Sequence, residues 1–315
     1  MRKILIVTPN YSERNGGAIV LHKLCDLINS LGREAYLMAY VDNFELNRYN
    51  YQTVLYKFFR KHLRDPWRRL KVNSQFHTPV VKKRPADIDL DNWIVIYPEI
   101  TFGNPLGAKN VVRWLLNNPG SNSSRKDGVG DYYYGTGELY FRMGVWFHDF
   151  QHAGSTTSKS FLCVVHYPFE LFNLNDVADE RIGTAYCLRK GKSKQVVHDQ
   201  RDSILIDGKR HRDIAQIFKR VKTFISYDSC TSFSWFAALC GCDSVVIPDP
   251  GVSEASWMPD PQNRLGVAYG FENLEHARET RPLLLERMRR TEVDSLRSVA
   301  EFLAEADRFF DDKQR

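Results

Sequence analysis

The chain has 315 residues, 43% of them hydrophobic and 26% charged, with a formal net charge of +6. That length supplies two globular cores, and the composition excludes a fibrous or disordered chain. No run reaches the ~18 apolar residues of a membrane span, and the opening MRKILIVTPNYSERNGG lacks the long apolar stretch of a secretion signal, so a cytoplasmic protein is expected.

Residues 3–9, KILIVTP, form a short Ile- and Val-rich run closed by proline, which predicts a buried parallel strand. From Gly17 to Leu31 the apolar positions Ile19, Val20, Leu24, Leu27, Ile28 and Leu31 recur at helical spacing, and Gly32 stands where a helix terminates. A second strand is predicted over 34–40. The glycines of Asn15-Gly16-Gly17 therefore fall at the carboxyl end of the first strand, where open α/β sheets bind ligands and where a missing side chain lets backbone approach one.

Charge is unevenly placed. Between Arg48 and Arg84 there are eleven Lys and Arg residues and one acid, Asp65, interleaved with aromatic residues. This stretch reads as an insertion, 48–84, suited to an anionic membrane surface or a phosphate-bearing molecule. Further strands are predicted at Trp93–Tyr97, Asn110–Leu116, Leu139–Phe147 and Phe161–His166. Residues 121–136 read as a loop and 167–182 as a linker. Glu99 and Asp149 fall at strand ends in this half, where a carboxylate can take a proton from an acceptor hydroxyl. Each is more often a capped or solvated side chain. Asp87, Asp89 and Asp91 read as a solvated turn.

The second half repeats the alternation, with strands at Thr184–Leu188, Thr223–Ser226 and Ser244–Ile247 and helices near 210–220 and 232–240. Two polar turns follow these strands. Arg189, Lys190, Lys192 and Lys194 cluster after the first. Tyr227, Asp228, Ser229, Cys230, Thr231 and Ser232 follow the second, combining hydroxyls with the N–H groups of a helix start. Singly, each turn also fits a solvated basic loop or ordinary helix capping. Six cysteines are scattered along the chain and read as reduced thiols. Cys240-Gly241-Cys242 lacks a second pair at zinc spacing, so no metal and no cofactor are expected. Residues 274–310 read as an amphipathic helix.

The opening strand with Asn15-Gly16-Gly17-Ala18, together with the late block from Tyr227 to Cys242 running into Val245-Val246-Ile247-Pro248, resembles bacterial GT-B glycosyltransferases of the surface-polysaccharide type. The resemblance implies a GT-B-like α/β fold with two Rossmann-like domains facing across a cleft. These are an acceptor-side domain at 1–176 and a nucleotide-sugar donor domain at 177–295, followed by a C-terminal helix at 296–315. It implies a nucleotide-sugar donor, an oligosaccharide or lipid-linked acceptor, and metal-independent transfer in surface polysaccharide synthesis. Gly16 and Gly17 match the loop facing the donor. Arg189 with Lys190 or Lys192 match the basic pair that neutralises the diphosphate, and Asp228 matches the first acid of the family's paired-acid motif. Phe236 stands where the second acid falls. Two other readings remain open: a polyanion or nucleic-acid binding protein, suggested by 48–84 although no nucleic-acid motif is present, and a sugar-nucleotide epimerase.

Overall fold

A computed structural model describes residues 1–39, 70–81, 88–119, 134–144 and 150–313. The chain divides into two compact units, Met1–His166 with Glu292–Arg315, and Tyr167–Thr291. Most of the basic tract, including 48–69 and 82–84, lies outside the described residues, as does Asp149.

The first unit is built on a six-stranded parallel sheet: β1 (Lys3–Thr8), β2 (Ala35–Ala39), β3 (Trp93–Pro98), β4 (Asn110–Leu115), β5 (Leu139–Arg142) and β6 (Thr156–Phe161), in the order β2-β1-β3-β4-β5-β6. The apolar runs predicted for β1, β3 and β4 are nearly continuous because both faces of these strands are covered. On one face Ile4, Ile6, Ile94, Ile96, Val112, Trp114 and Phe141 pack against helix α1 (Gly16–Ser30) and against Val299, Phe302, Ala306 and Phe310 near the chain's end. On the other, Leu5, Val7, Val95 and Tyr97 pack with Leu90, Ala108 and Val111.

The last strand differs from the sequence expectation. β6 is Thr156–Phe161; the Leu162 N–H still donates to the Arg142 carbonyl of β5 at 2.9 Å, and residues 163–166 then leave the sheet while Leu162 and Val164 stay buried. Their backbone explains why. The N–H groups of Cys163 and Val165 donate to the Ser298 and Ser295 hydroxyls at 2.9 and 3.2 Å, so helix side chains occupy the donors that a strand neighbour would take. Likewise the strand starting at Leu139 stops at Arg142, short of Phe147.

The second unit has a five-stranded parallel sheet: β7 (Thr184–Cys187), β8 (Ser203–Leu205), β9 (Thr223–Ser226), β10 (Asp243–Val246) and β11 (Val267–Tyr269), in the order β11-β10-β9-β7-β8. Helices α2 (His211–Phe218) and α3 (Phe233–Leu239) cover one face through Ile214, Phe218, Phe236 and Ala237, with Phe172 stacked on Phe236 at 4.5 Å and 13°. Helix α4 (Leu274–Asp312) places Leu284 and Met288 in this core and its later turns in the core of the first unit. No described helix is long and apolar enough to cross a membrane.

Counted from its own first strand, each sheet has the order second, first, third, fourth, fifth, with a sixth strand following in the first sheet. Strand order reverses between β1 and β3 in one sheet and between β7 and β9 in the other. In open parallel sheets the loops leaving the carboxyl ends at such a reversal diverge and leave a crevice for ligand.

Candidate functional site

At the reversal in the second sheet, β7 exits into Leu188, Arg189, Lys190 and Gly191, the last three forming a single 3-10 turn. Asp207, following β8, shapes this exit. Its carboxylate accepts the N–H of Arg189 at 2.9 Å and that of Leu188 at 3.3 Å. Arg189 adopts φ 41°, in the left-handed region, which costs a residue with a Cβ roughly 1–2 kcal/mol. Gly191 then lies directly on the β9 exit, where a Cβ would collide with the Tyr227 carbonyl, so only glycine fits. The two exit loops are thus packed backbone on backbone.

That contact brings the two predicted clusters together. Arg189 Nε lies 3.4 Å from Asp228 Oδ2, with the arginine 39% and the aspartate 4% exposed, and the guanidinium stands 5.4 Å over the Phe233 ring. Asp228 is fixed from its other side, since Oδ1 accepts the Cys230 N–H at 3.0 Å and its carbonyl accepts the Ser226 hydroxyl at 2.7 Å. Lys190 and Lys192 are exposed beside it. Thr231 Oγ1 accepts the N–H of Phe233 at 3.4 Å, whereas Ser232, at the cap position of α3, makes no side-chain capping bond. The Tyr227 hydroxyl is engaged away from the turn, accepting the Val197 N–H at 2.9 Å and meeting His198 Nδ1 at 2.7 Å.

A third exit loop joins through a residue the sequence did not single out. Asp249, after β10, takes the Ser229 hydroxyl on Oδ2 and Lys194 Nζ on Oδ1 at 2.8 Å, and Lys194 also donates to the Ile247 carbonyl at 2.7 Å. Burial pushes the Asp249 carboxyl up, but hydrogen bonds from Lys194 and Ser229 outweigh it and hold the group below its ordinary value. The signal available in the sequence was its place two residues beyond a strand, in Ile247-Pro248-Asp249-Pro250. Asp207 offered none, because the three-residue strand before it has no pattern of its own.

In the first unit, Asn15 caps α1 by accepting the Ala18 N–H at 3.1 Å. An added Cβ at Gly16 would meet nothing within 4 Å, and at Gly17 only Asn15 Oδ1 at 3.4 Å and the Leu116 side chain at 3.5 Å. Glu99 follows β3 at the reversal and is buried, with Oε2 accepting the Leu116 N–H at 3.0 Å and its carbonyl accepting the Tyr134 hydroxyl at 2.7 Å. Leu116 therefore touches both the glycine turn and Glu99. His22, on α1, meets the Pro9 carbonyl through Nε2 at 3.1 Å, and burial lowers its pKa.

Behind Glu99 lies a fully buried ion pair. Arg113 of β4 and Glu138, just before β5, are 0% and 1% exposed and bond in two-pronged fashion at 2.8 and 2.7 Å. Arg113 also donates to the carbonyls of Thr101 and Gly103 and stacks 4.4 Å from the Tyr134 ring. Glu138 Oε1 further accepts the Gly135 N–H at 3.0 Å. One pair thereby fastens the loop that carries Glu99 to the loop that carries Tyr134.

Among the described residues no group of three or more His, Cys, Asp or Glu side chains is gathered to hold a metal ion. Cys240 and Cys242 are buried in the core of the second unit, and burial pushes their thiols up to about 11 and about 12. Cys230, on the β9 exit turn, is exposed; burial raises its thiol too, so what sets it apart from Cys240 and Cys242 is access. A disulfide reagent at neutral pH is expected to modify Cys230 in the native protein and to spare Cys240 and Cys242 until denaturant is added; mass mapping of the labelled peptides checks this.

No protein-family model matches the chain, and no curated protein matches it. Nine chains of solved structures match it, among them the spinosyn forosaminyltransferase SpnP, at 11% sequence identity and a TM-score of 0.32 over 97% of this chain and 95% of that one.

Proposed function

We propose that this protein is a metal-independent glycosyltransferase of the GT-B kind, moving a sugar from a nucleotide-sugar donor to an oligosaccharide or lipid-linked acceptor in surface polysaccharide synthesis. The carrying observation is the convergence of the β7 and β9 exit loops at the strand-order reversal of the second sheet. There Gly191 seats against Tyr227, Arg189 pairs with Asp228, and Lys190 and Lys192 stand exposed alongside. Departure of a nucleoside diphosphate develops negative charge on its phosphates. Cations and backbone N–H groups held in place before the reaction stabilise that charge without reorganising. The strained Arg189 backbone, clamped by Asp207, fits such a preorganised cation. Glu99, with Asp149 as the alternative, is proposed as the base for the acceptor hydroxyl if the anomeric centre inverts. Retention requires no such base. The basic tract 48–84 is proposed to meet an anionic membrane surface, holding the enzyme at its cytoplasmic face.

A thermal-shift screen against UDP-, GDP-, dTDP- and CMP-sugars tests the donor assignment, since a ligand at about 100 times its Kd adds roughly 2.7 kcal/mol of stability. With the stabilising donor, Lys190→Ala is expected to weaken binding roughly tenfold, about 1.5 kcal/mol, with unchanged circular dichroism. Unaltered nucleotide affinity in Arg189→Ala, Lys190→Ala and Ser229→Ala alike would remove the donor from this site.

A further inference from the structure

The opposite side of the second sheet from its β10–β11 edge ends in β8, a three-residue strand paired only with β7. Its Ile204 and Leu205 remain 42% and 38% exposed, more than an edge strand needs to close its core. The adjoining segment from Lys209 to Lys222, which contains α2, holds six Lys and Arg residues and a single acid, Asp213. That acid is engaged by Arg210 at 3.0 Å. Lys209, Arg212, Arg220 and Lys222 are exposed, and none of the four forms an ion pair among the described residues.

These two features meet in one groove of about 370 Å³, lined by Ile204, Lys209, Asp213, Gln216, Ile217 and Arg220. Its wall is thus aliphatic, from Ile204 of β8 and Ile217 of α2, and its cations are Lys209 and Arg220. We infer that this β8–α2 face is a docking surface for an anionic phospholipid membrane, with Lys209 and Arg220 meeting headgroup phosphates and Ile204 entering the boundary with the acyl chains. Charge complementarity selects an anionic partner. The aliphatic wall selects lipid over nucleic acid, because base recognition on a basic groove uses aromatic stacking platforms and this groove has none. The inference is independent of the donor site.

The test is flotation of the full chain, with Lys57, Arg60, Lys61, Arg64, Arg68 and Arg69 changed to Gln in parent and variants alike so that the tract 48–84 does not carry the binding, with vesicles of phosphatidylcholine, alone or with one third phosphatidylglycerol. Binding is expected only to the anionic vesicles. Lys209→Gln with Arg220→Gln should lower the partition coefficient about 30-fold, from about 1 kcal/mol per cation near such a surface. Ile204→Ser should lower it further while leaving the salt dependence in place. All three positions are exposed, so an unchanged melting temperature verifies that the variants fold. Equal flotation of the parent and the Lys209/Arg220 variant overturns the inference, as does equal binding to the uncharged vesicles. Soluble glycerol phosphate that displaces the protein as effectively as omission of the anionic lipid also overturns it, assigning the groove to a free phosphate ester. A single-stranded RNA whose binding falls in the variant while flotation does not would reassign the face to nucleic acid.

Discussion

Replacing Arg113 with leucine is expected to destabilise the first unit by about 3–5 kcal/mol, a large share of the roughly 5–15 kcal/mol that holds a folded domain together. Glu138 would be left charged and without its partner where it is 1% exposed, and the carbonyls of Thr101 and Gly103 would lose their donor. Glu138→Leu should cost a similar amount by stranding the guanidinium. The double replacement Arg113→Leu with Glu138→Leu removes both charges and should recover part of the loss. It leaves the Thr101 and Gly103 carbonyls and the Gly135 N–H unpartnered, at about 1–3 kcal/mol for each that stays buried. Guanidinium unfolding of the parent, both singles and the double gives the coupling directly. Single variants within 1 kcal/mol of the parent would show that the pair contributes little.

Gly191→Ala should act on stability and ligand together. The added methyl meets the carbonyl of Tyr227 and its carbon, which belong to backbone and cannot swing aside as a flexible side chain would. Either the β7 exit or the β9 exit has to move, at about 3 kcal/mol, the upper end of what overpacking usually costs. Such a shift parts Arg189 from Asp228, so nucleotide affinity is expected to fall along with the melting temperature. Lys190→Ala, an exposed change, should lower affinity alone. A Gly191→Ala protein with parental melting temperature and parental nucleotide affinity would mean that the close approach does not govern the site.

The parts legible in the sequence were those set by local pattern. β1, β3 and β4 showed as apolar runs because both of their faces are buried. α1 showed as a helical stripe with its glycine stop. β8 and β11 are three residues each, too short for any periodicity, and β8 turns Ile204 and Leu205 outward. β6, TTSKSF, is a polar edge strand beside an apolar stretch that looks more like a strand than it does. The strand-end placement of the candidate residues, Arg189 and Asp228 among them, was readable from the alternation of strand and turn. Asp249 and Asp207 were not, because their roles depend on which strands become neighbours. Gly191 looked like one flexible residue in a basic loop, and its closeness to Tyr227 arises only when β7 and β9 pair. Arg113 sits within Asn110-Val111-Val112-Arg113-Trp114-Leu115, and nothing local shows that its partner lies 25 residues ahead.

Helix α4 also bears on the order in which the protein can fold as it is synthesised. The residues of the second unit, Tyr167–Thr291, are contiguous, so its core can close soon after they leave the ribosome. The sheet of the first unit is encoded before residue 167, yet its core includes Val299, Phe302, Ala306 and Phe310. At about 5–20 residues per second these arrive roughly 7–30 s after the last strand. Until then Trp114, Phe141 and Ile96 have an incomplete cover. The half of the protein made first is the half finished last, and during that interval it is the part a chaperone would hold.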